Sequence, residues 1–374
     1  MTQSKKIKWL SISDIHLGNL RTPADFILAN LRRELFDTNI IPTLDLLIIA
    51  GDLFDRLLEY NHPSATNILL FIDKLMILCS THNVKLRVLE GTPSHDNKQN
   101  IIFDALYATG NYSCDMKYFD TLTIEYIQDW DVRVLYVPDK IRTTTNEVYK
   151  DTLELLKNQA IEQVDFAIMH GAFSHQLPPM AKEVYIPEDW LKIVKHYIFV
   201  GHVHFHSIFK RILAGGSFDR MAQGEEKPKG YLVGTMNLHG DPKKDEAYFI
   251  ENKNSKKNIT IQLFEDDLQN NLKLIEDKVK DLPNESFIRI KADKGNPVFA
   301  NMVEISKINL SHFWSKDEKL LEEPTIEITE EIETWEAIHI DKSNIESIIM
   351  QRLSIQNVSG EILSLATNFL QEAL

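Results

Sequence analysis

Short apolar runs alternate with longer amphipathic patterns through the first 110 residues, and this order constrains the fold more than any other feature. Buried strands are predicted at residues 7–13, 44–50 and 84–90, and helices at residues 23–36 and 63–79. Strand–helix–strand–helix order predicts an α/β fold with a largely parallel sheet and covering helices. In such sheets ligands bind beyond the carboxyl ends of the strands.

The rest of the chain divides into a second α/β part and a region of different composition. Further strands are predicted at residues 165–169 and 196–200, and β-hairpins with glycine-rich turns across residues 208–250. Residues 252–258 are polar and predict a linker. We therefore predict three parts: 1–250, a small α+β domain at 259–339, and C-terminal helices within 340–374. The elements predicted for the small domain are strands at 259–264, 286–291 and 325–328 and a helix at 268–282.

Five short polar clusters follow the predicted strands. They are, in chain order, Asp14-Ile15-His16, Gly51-Asp52, Ser94-His95-Asp96, His170-Gly171 and Gly201-His202-Val203-His204. Carboxylate and imidazole ligands without cysteine suit Mn²⁺, Fe²⁺ or Zn²⁺. The set is too large for one catalytic ion with an open position. Two ions that share a bridging aspartate can use the whole set of ligands. Such a pair of ions serves phosphoryl displacement.

Charge and composition exclude several classes of protein. The chain has only two cysteines in 374 residues, which excludes a disulfide framework or a cysteine-rich zinc site. Its net charge of −14 lacks the overall basic character usual in nucleic-acid binders, although net charge says little about one cleft. Neither an export signal nor an apolar run of about 20 residues is visible, so we expect a cytoplasmic protein without membrane contact.

The ordered clusters resemble the calcineurin-like metallophosphoesterase superfamily, whose pattern is D-x-H, GD, GNH-[DE], a later His, and GHxH. The resemblance covers roughly residues 7–250. It implies a four-layer αββα sandwich that binds two metal ions. It also implies a ligand set for each ion: Asp14, His16 and His204 for the first, His170 and His202 for the second, and Asp52 as the bridge.

The third cluster carries the remaining roles that the resemblance implies. His95 is expected to be the catalytic histidine that assists the leaving oxygen, with Asp96 orienting its ring. Two residues are inserted relative to the family pattern, and Ser94 stands where the pattern has its metal-binding asparagine. Ser94 is therefore the expected further ligand of the second ion.

A narrower resemblance is to the SbcD-type DNA repair nucleases of the meiotic-recombination-nuclease family. Residues 215–231 and the run Gly51–Asp55 are similar to that branch. The resemblance implies a homodimeric nuclease with two Mn²⁺ ions, or Mg²⁺ in their place, and both 3′-to-5′ exonuclease and single-strand or hairpin endonuclease activity. Its partners would be DNA and an SbcC-like SMC-type ATPase bound by residues 340–374. Its place would be a bacterial or phage-infected cytoplasm.

Several alternatives remain open at this point. A phosphoesterase for small molecules or phosphoproteins is the second hypothesis, and a non-catalytic scaffold with a decayed site is the third. The helix at 63–79 suits core packing and a dimer interface equally well. The apolar faces within 342–373 suit packing on the small domain as well as ATPase docking. Arg220 is expected to pair with Glu225 rather than to contact phosphate.

Overall fold

Two six-stranded sheets form the centre of the molecule. The computed structural model describes residues 5–318 except 60, 223, 265, 266 and 309, and these belong to one compact unit that spans residues 1–321. The strands of sheet 1 are, in spatial order, β12 (Glu246–Glu251), β11 (Gly230–Leu238), β1 (Lys5–Ile12), β2 (Leu46–Ala50), β3 (Lys85–Leu89) and β4 (Met116–Phe119). Those of sheet 2 are β5 (Thr123–Ile127), β6 (Val132–Val137), β7 (Phe166–His170), β8 (Ile198–Gly201), β10 (Ile212–Ala214) and β9 (Ser207–Phe209).

The middle of each sheet is parallel, as the strand–helix order predicts. Strands β1 to β4 run parallel to one another, and so do β6, β7, β8 and β10. Strands β11 and β12 and strands β5 and β9 are antiparallel at the edges. The carboxyl ends of the central strands therefore collect at one edge of each sheet.

Alternate side chains of the central strands enter different cores. Trp9 and Ile48 pack between the two sheets, whereas their neighbours Leu10 and Leu47 face the helices outside sheet 1. This two-residue alternation with both faces buried explains why β1 and β2 are continuous apolar runs in the sequence. The predicted four-layer αββα sandwich is confirmed.

Helices cover the outer faces of the two central sheets, and the last three helices pack with a third sheet. The helices are α1 (Ala24–Leu31), α2 (Ala65–His82), α3 (Pro93–Asp96), α4 (Ile102–Tyr107), α5 (Thr145–Asn158), α6 (Pro187–Ile193), α7 (Leu268–Val279), α8 (Pro297–Ala300) and α9 (Met302–Ser306). A π-helical stretch, Arg32–Asp37, continues α1. Helix α2 ends at Asn83, whose left-handed φ of 55° closes the helix. Among the described residues, no helix is both long and apolar enough to cross a bilayer.

A third sheet of parallel strands follows the sandwich. It consists of β13 (Asn258–Gln262), β14 (Phe287–Ala292) and β15 (Phe313–Glu318), with α7 packed on it. Two of these strands and the helix were predicted, whereas β15 was not. The strand predicted at 325–328 and the helices predicted within 340–374 lie outside the described residues. The domain boundaries drawn from the sequence therefore stay predictions.

Residues 252–258 are not the solvated linker that their polar composition predicts. Asn252, Ser255 and Lys256 are at most 1% exposed. Their backbone and side chains bind Arg220, which donates to the Ser255 hydroxyl and the Lys256 carbonyl at 3.0 and 2.9 Å. The prediction was wrong because polar residues indicate solvent exposure only where they have no buried hydrogen-bond partners.

A buried ion pair joins the two central sheets. Arg87 on β3 makes two bonds of 2.8 Å to the Glu125 carboxylate on β5, and Tyr136 on β6 donates to the same carboxylate at 2.6 Å. Arg87 is fully buried. The exposed Lys117 contacts the Glu125 carboxylate from outside at 2.8 Å. Loss of one buried partner leaves a charge without compensation.

We therefore predict that Glu125→Ala lowers the free energy of unfolding by about 3 kcal/mol, because the buried Arg87 guanidinium would lose both bonds to Glu125 and keep only the partly exposed Asp115 carboxylate as an ion-pair partner. Lys117→Met is the matched control and should cost less than about 1 kcal/mol, since that pair is exposed. Denaturant unfolding monitored by circular dichroism measures both. Equal losses for the two variants would contradict the assigned role of the buried pair.

Candidate metal centre

The predicted ligands meet where the carboxyl ends of the two sheets face each other. Asp14 and Asp52 follow β1 and β2 of sheet 1, His170 ends β7 of sheet 2, and His202 follows β8. Three groups of residues each bring one ligand atom per residue within 4.8 Å of the others. We call Asp14, His16 and His204 the first group and Asp52, His170 and His202 the second group; a third set, His16, Asp52 and His95, joins them.

The backbone at four of these positions is left-handed. The φ angles are 50° at Asp14, 55° at His16, 51° at Asp52 and 106° at His202. Such conformations cost non-glycine residues roughly 1–3 kcal/mol each and persist only where the surroundings fix them. Here the strand ends lock together, because the Ile15 and His16 N–H groups both donate to the Asp52 carbonyl. The strained backbone lowers the stability of the fold but directs these side chains inward, as is common at functional sites.

Close backbone approach requires glycine beside the ligands. A Cβ on Gly91 would lie 2.2 Å from the Asp52 backbone nitrogen and from its Oδ1. A Cβ on Gly201 would lie 2.2 Å from the Ala50 carbonyl oxygen and 2.8 Å from His170 Nδ1. Any larger residue at either place would displace a ligand.

Asp52 belongs to the second group and to the set that joins that group to His16. Its Oδ2 lies 2.8 Å from His95 Nδ1, 3.2 Å from His170 Nε2 and 3.9 Å from His16 Nε2. Burial would raise the pKa of Asp52, but the surrounding imidazoles outweigh burial and hold the pKa well below its usual range. The carboxylate is therefore ionised and placed to bridge two cations.

The first group has two imidazole nitrogens that face each other. His16 Nε2 and His204 Nε2 are 3.0 Å apart. The Nδ1 atoms of these rings lie 3.3 Å from an Asp55 oxygen and 2.9 Å from a Glu225 oxygen. If each Nδ1 carries the proton for its carboxylate, both Nε2 atoms present lone pairs. A cation between them removes the repulsion, so this group fits a divalent metal.

The second group is arranged in the same way. His170 Nδ1 donates to the Ala50 carbonyl at 2.8 Å, which points its Nε2 at Asp52. Burial lowers the pKa of His170, yet Asp52 raises it to about 10, so a proton occupies the place of a cation when none is bound. The donors of this group also fit a divalent ion.

Thr92, which the sequence analysis missed, completes the second group. Its hydroxyl lies 3.5 Å from His170 Nε2 and 3.4 Å from His202 Nδ1, and its N–H donates to Asp52 Oδ1 at 2.6 Å. Ser94, the expected ligand, is exposed on the helical turn α3. Thr92 directly follows Gly91. It therefore takes the position of the family's asparagine when the two extra residues are counted after it.

Asp96 does not orient the ring of His95, contrary to the prediction. Its buried carboxylate accepts the N–H groups of Asp52, Phe54 and Gly91 at 3.0, 2.9 and 2.7 Å. Asp52 contacts His95 Nδ1 instead. Asp96 thus fixes the backbone of the turn that carries Asp52, and it is a positioning residue.

Glu225 pairs with His204 and Lys229 rather than with Arg220. Its carboxylate lies 2.9 Å from His204 Nδ1 and 2.8 Å from Lys229 Nζ. Arg220 donates to the carbonyls of Glu225, Glu226 and Lys227 at 2.7–3.1 Å, so the predicted Arg220–Glu225 ion pair is wrong. Glu225 lies in the loop between β10 and β11 rather than in the predicted hairpin, and the glycine-rich sequence gave no signal that one of its acids orients a ligand.

The comparisons with known proteins bear on this arrangement. The family model described as Calcineurin-like phosphoesterase matches residues 7–206, more than half of the chain. The chain belongs to this family. As a calcineurin-like phosphoesterase it is a hydrolase, and members of the family use divalent metal ions of the kind that the two ligand groups fit.

Matches to individual proteins add little about function. No curated protein matches the chain. The solved structure of TT1561 of Thermus thermophilus is 11% identical, with a TM-score of 0.39, and the match covers 66% of this chain and 99% of that one. A second solved structure is 14% identical with the same TM-score and coverage. At such scores neither likeness supports an argument.

We predict that Thr92→Val weakens Mn²⁺ binding at the second group by about ten-fold or more, because valine has the same shape but supplies no oxygen. Calorimetric titration and metal analysis after gel filtration measure this loss. Ser94→Ala is the control and should bind two ions per chain, as wild type is expected to. Loss of an ion in the control but not in Thr92→Val would restore Ser94 as the ligand.

Proposed function

We propose that this phosphoesterase is a Mn²⁺-dependent DNA nuclease, the catalytic subunit of an SbcCD-like repair and recombination complex. The observation that carries the proposal is the Asp52 carboxylate, which belongs to the second group and lies 3.9 Å from His16 of the first, since paired ions suit phosphodiester cleavage. Residues 215–231, which resemble SbcD-type nucleases, support it further. They provide Glu225 and Lys229, the residues that fix the ligand His204.

Divalent ions held by these groups would activate a water and stabilise the oxygens of an in-line displacement. His95 donates its Nδ1 hydrogen to Asp52, and its side chain is 36% exposed whereas that of His170 is fully buried. We assign His95 the delivery of a proton to the departing sugar oxygen. The expected activities are 3′-to-5′ digestion of duplex ends and cleavage of single strands or hairpins, without base specificity.

We predict that His95→Asn lowers kcat on linear duplex DNA with Mn²⁺ by about 10²–10⁴-fold, because the leaving oxygen loses its proton donor. Bound metal should stay at the wild-type level, which separates this loss from damage to the centre. His82→Asn, an exposed histidine at the end of α2, is the control and should retain full activity. Initial rates and metal analysis give both readouts.

An aryl phosphate assayed beside the DNA tests the alternative, a phosphoesterase for small molecules or phosphoproteins. Wild type that hydrolyses the aryl ester but leaves DNA intact would overturn the nuclease proposal. Equal rates for wild type and His95→Asn on DNA would remove His95 from the reaction.

We further propose that the chain forms a homodimer through α2. One face of α2 packs into the core, while Leu69 and Leu70 on its other side are 45% and 57% exposed. Leu69 and Ile101, which is 59% exposed, line a groove of about 450 Å³. A second copy of this chain is the occupant that the SbcD-type resemblance implies, and exposed leucines on one surface support an interface.

We predict that Leu69→Lys makes the protein monomeric, because a buried lysine at the interface would lack a partner. Light scattering coupled to gel filtration measures the mass. Leu153→Lys is the control, since Leu153 on α5 is similarly exposed at 41% but lies outside the groove. A monomeric wild type would refute the dimer.

We also propose that an SbcC-like ATPase binds residues 340–374, and that the protein acts in a bacterial or phage-infected cytoplasm. The docking segment lies outside the described residues. Its support is the helical spacing of apolar residues in the sequence, such as Ile345, Ile349 and Leu353.

A further inference from the structure

A cavity of about 270 Å³ opens beside the second metal-binding group, and His202 forms part of its wall. The rest of the wall comes from the loop after β6, the first turn of α5 and the loop before α6. Asp139, Lys140, Leu177 and Lys182 are among the lining residues. We call it the His202 cavity. A molecule bound there would extend directly from the reaction centre.

Two lysines line the His202 cavity together with two acids, of which Glu183 accepts the Thr145 N–H and Asp139 has a buried oxygen. Lys140 and Lys182 are exposed, and among the described residues neither ammonium group has an ion-pair partner. Arg142, also at the cavity, is different because it pairs with Asp151 at 2.6 Å. In a chain of net charge −14, unpaired cations beside a metal centre favour an anionic ligand.

The backbone around the His202 cavity is strained in the way binding sites are. Lys140 and Glu183 have left-handed φ angles of 50° and 56°, and His202 has 106°. The Glu183 carboxylate accepts the Thr145 N–H at 3.1 Å, which ties one loop to the start of α5. Strain held by such contacts clusters at ligand clamps. The cavity is therefore a built feature of the fold.

The cavity also presents an apolar surface. Val148 and Leu177 contribute apolar wall beside the lysines. Asp139 Oδ2 is buried, so it lies out of reach of a molecule in the cavity. A nucleotide, the repeating unit of the proposed DNA substrate, offers a phosphate to the lysines and a sugar to the apolar wall.

We propose that the His202 cavity binds the nucleotide next to the scissile phosphodiester. Lys140 and Lys182 bind its phosphate, and its sugar lies against Val148 and Leu177. This inference rests on the proposed nuclease function. It adds the position of the DNA nucleotide next to the cleaved bond.

The test is the double variant Lys140→Gln/Lys182→Gln, assayed on a short single-stranded oligonucleotide with Mn²⁺. Each phosphate contact on a single strand contributes about 0.7 to the slope of log K against log salt, so the slope should fall by about 1.4. The same relation gives a rise in KM of about 25-fold at 0.1 M salt. The kcat value and the hydrolysis of bis-p-nitrophenyl phosphate should not change, since the metal ligands are untouched.

Lys150→Gln/Lys157→Gln is the matched control, because both lysines are exposed on α5 outside the cavity. An unchanged KM and salt slope in the cavity variant, or an equal change in the control, would overturn the subsite while DNA cleavage by wild type still stands. Wild type that cleaves only the aryl diester would overturn the nuclease function and the subsite together.

Discussion

The convergence of Asp52 and four histidines on one point governs this molecule. Asp52 Oδ2 faces three imidazoles, and His16 faces His204 with 3.0 Å between their Nε2 atoms. The other nitrogen of three of these rings lies beside Asp55, Glu225 or the Ala50 carbonyl. Protons or metal cations placed between these atoms give each of them a partner. The parallel strands, the glycines between them and the left-handed turns all serve to bring these atoms together.

The residues that contact the candidate ligands fix the geometry of the centre. Asp96 binds three backbone N–H groups and so sets the turn of Asp52, while Lys229 fixes both Glu225 and the His204 carbonyl. A ligand held by such contacts loses little freedom when a cation arrives, because its orientation is already fixed. The centre is therefore pre-organised by residues whose own charges never need to touch the ion.

The sequence predicted the central strands and the ligands at their ends, because buried parallel strands are continuous apolar runs and the polar residue after each run is conspicuous. It gave no assignment for β4 to β6, and it missed β15, whose sequence is polar and mostly exposed. The roles of Thr92 and Asp96 depend on the loop conformation after Gly91, where two extra residues form a helical turn that faces Ser94 outward. The partnership of Glu225 with His204 joins residues 21 positions apart, and no local pattern encodes it.

One guanidinium links the turn that carries Glu225 to the segment that was predicted as a linker. Arg220 binds the carbonyls of that turn, and with its other nitrogen it binds residues 255 and 256 at the entrance to the third sheet. Asn258 reinforces the link, because its side-chain amide donates to the Ala222 carbonyl at 2.6 Å. Rotation of the third sheet against the sandwich would therefore pull on the turn beneath His204, so a load applied at the periphery would reach the residues around the site.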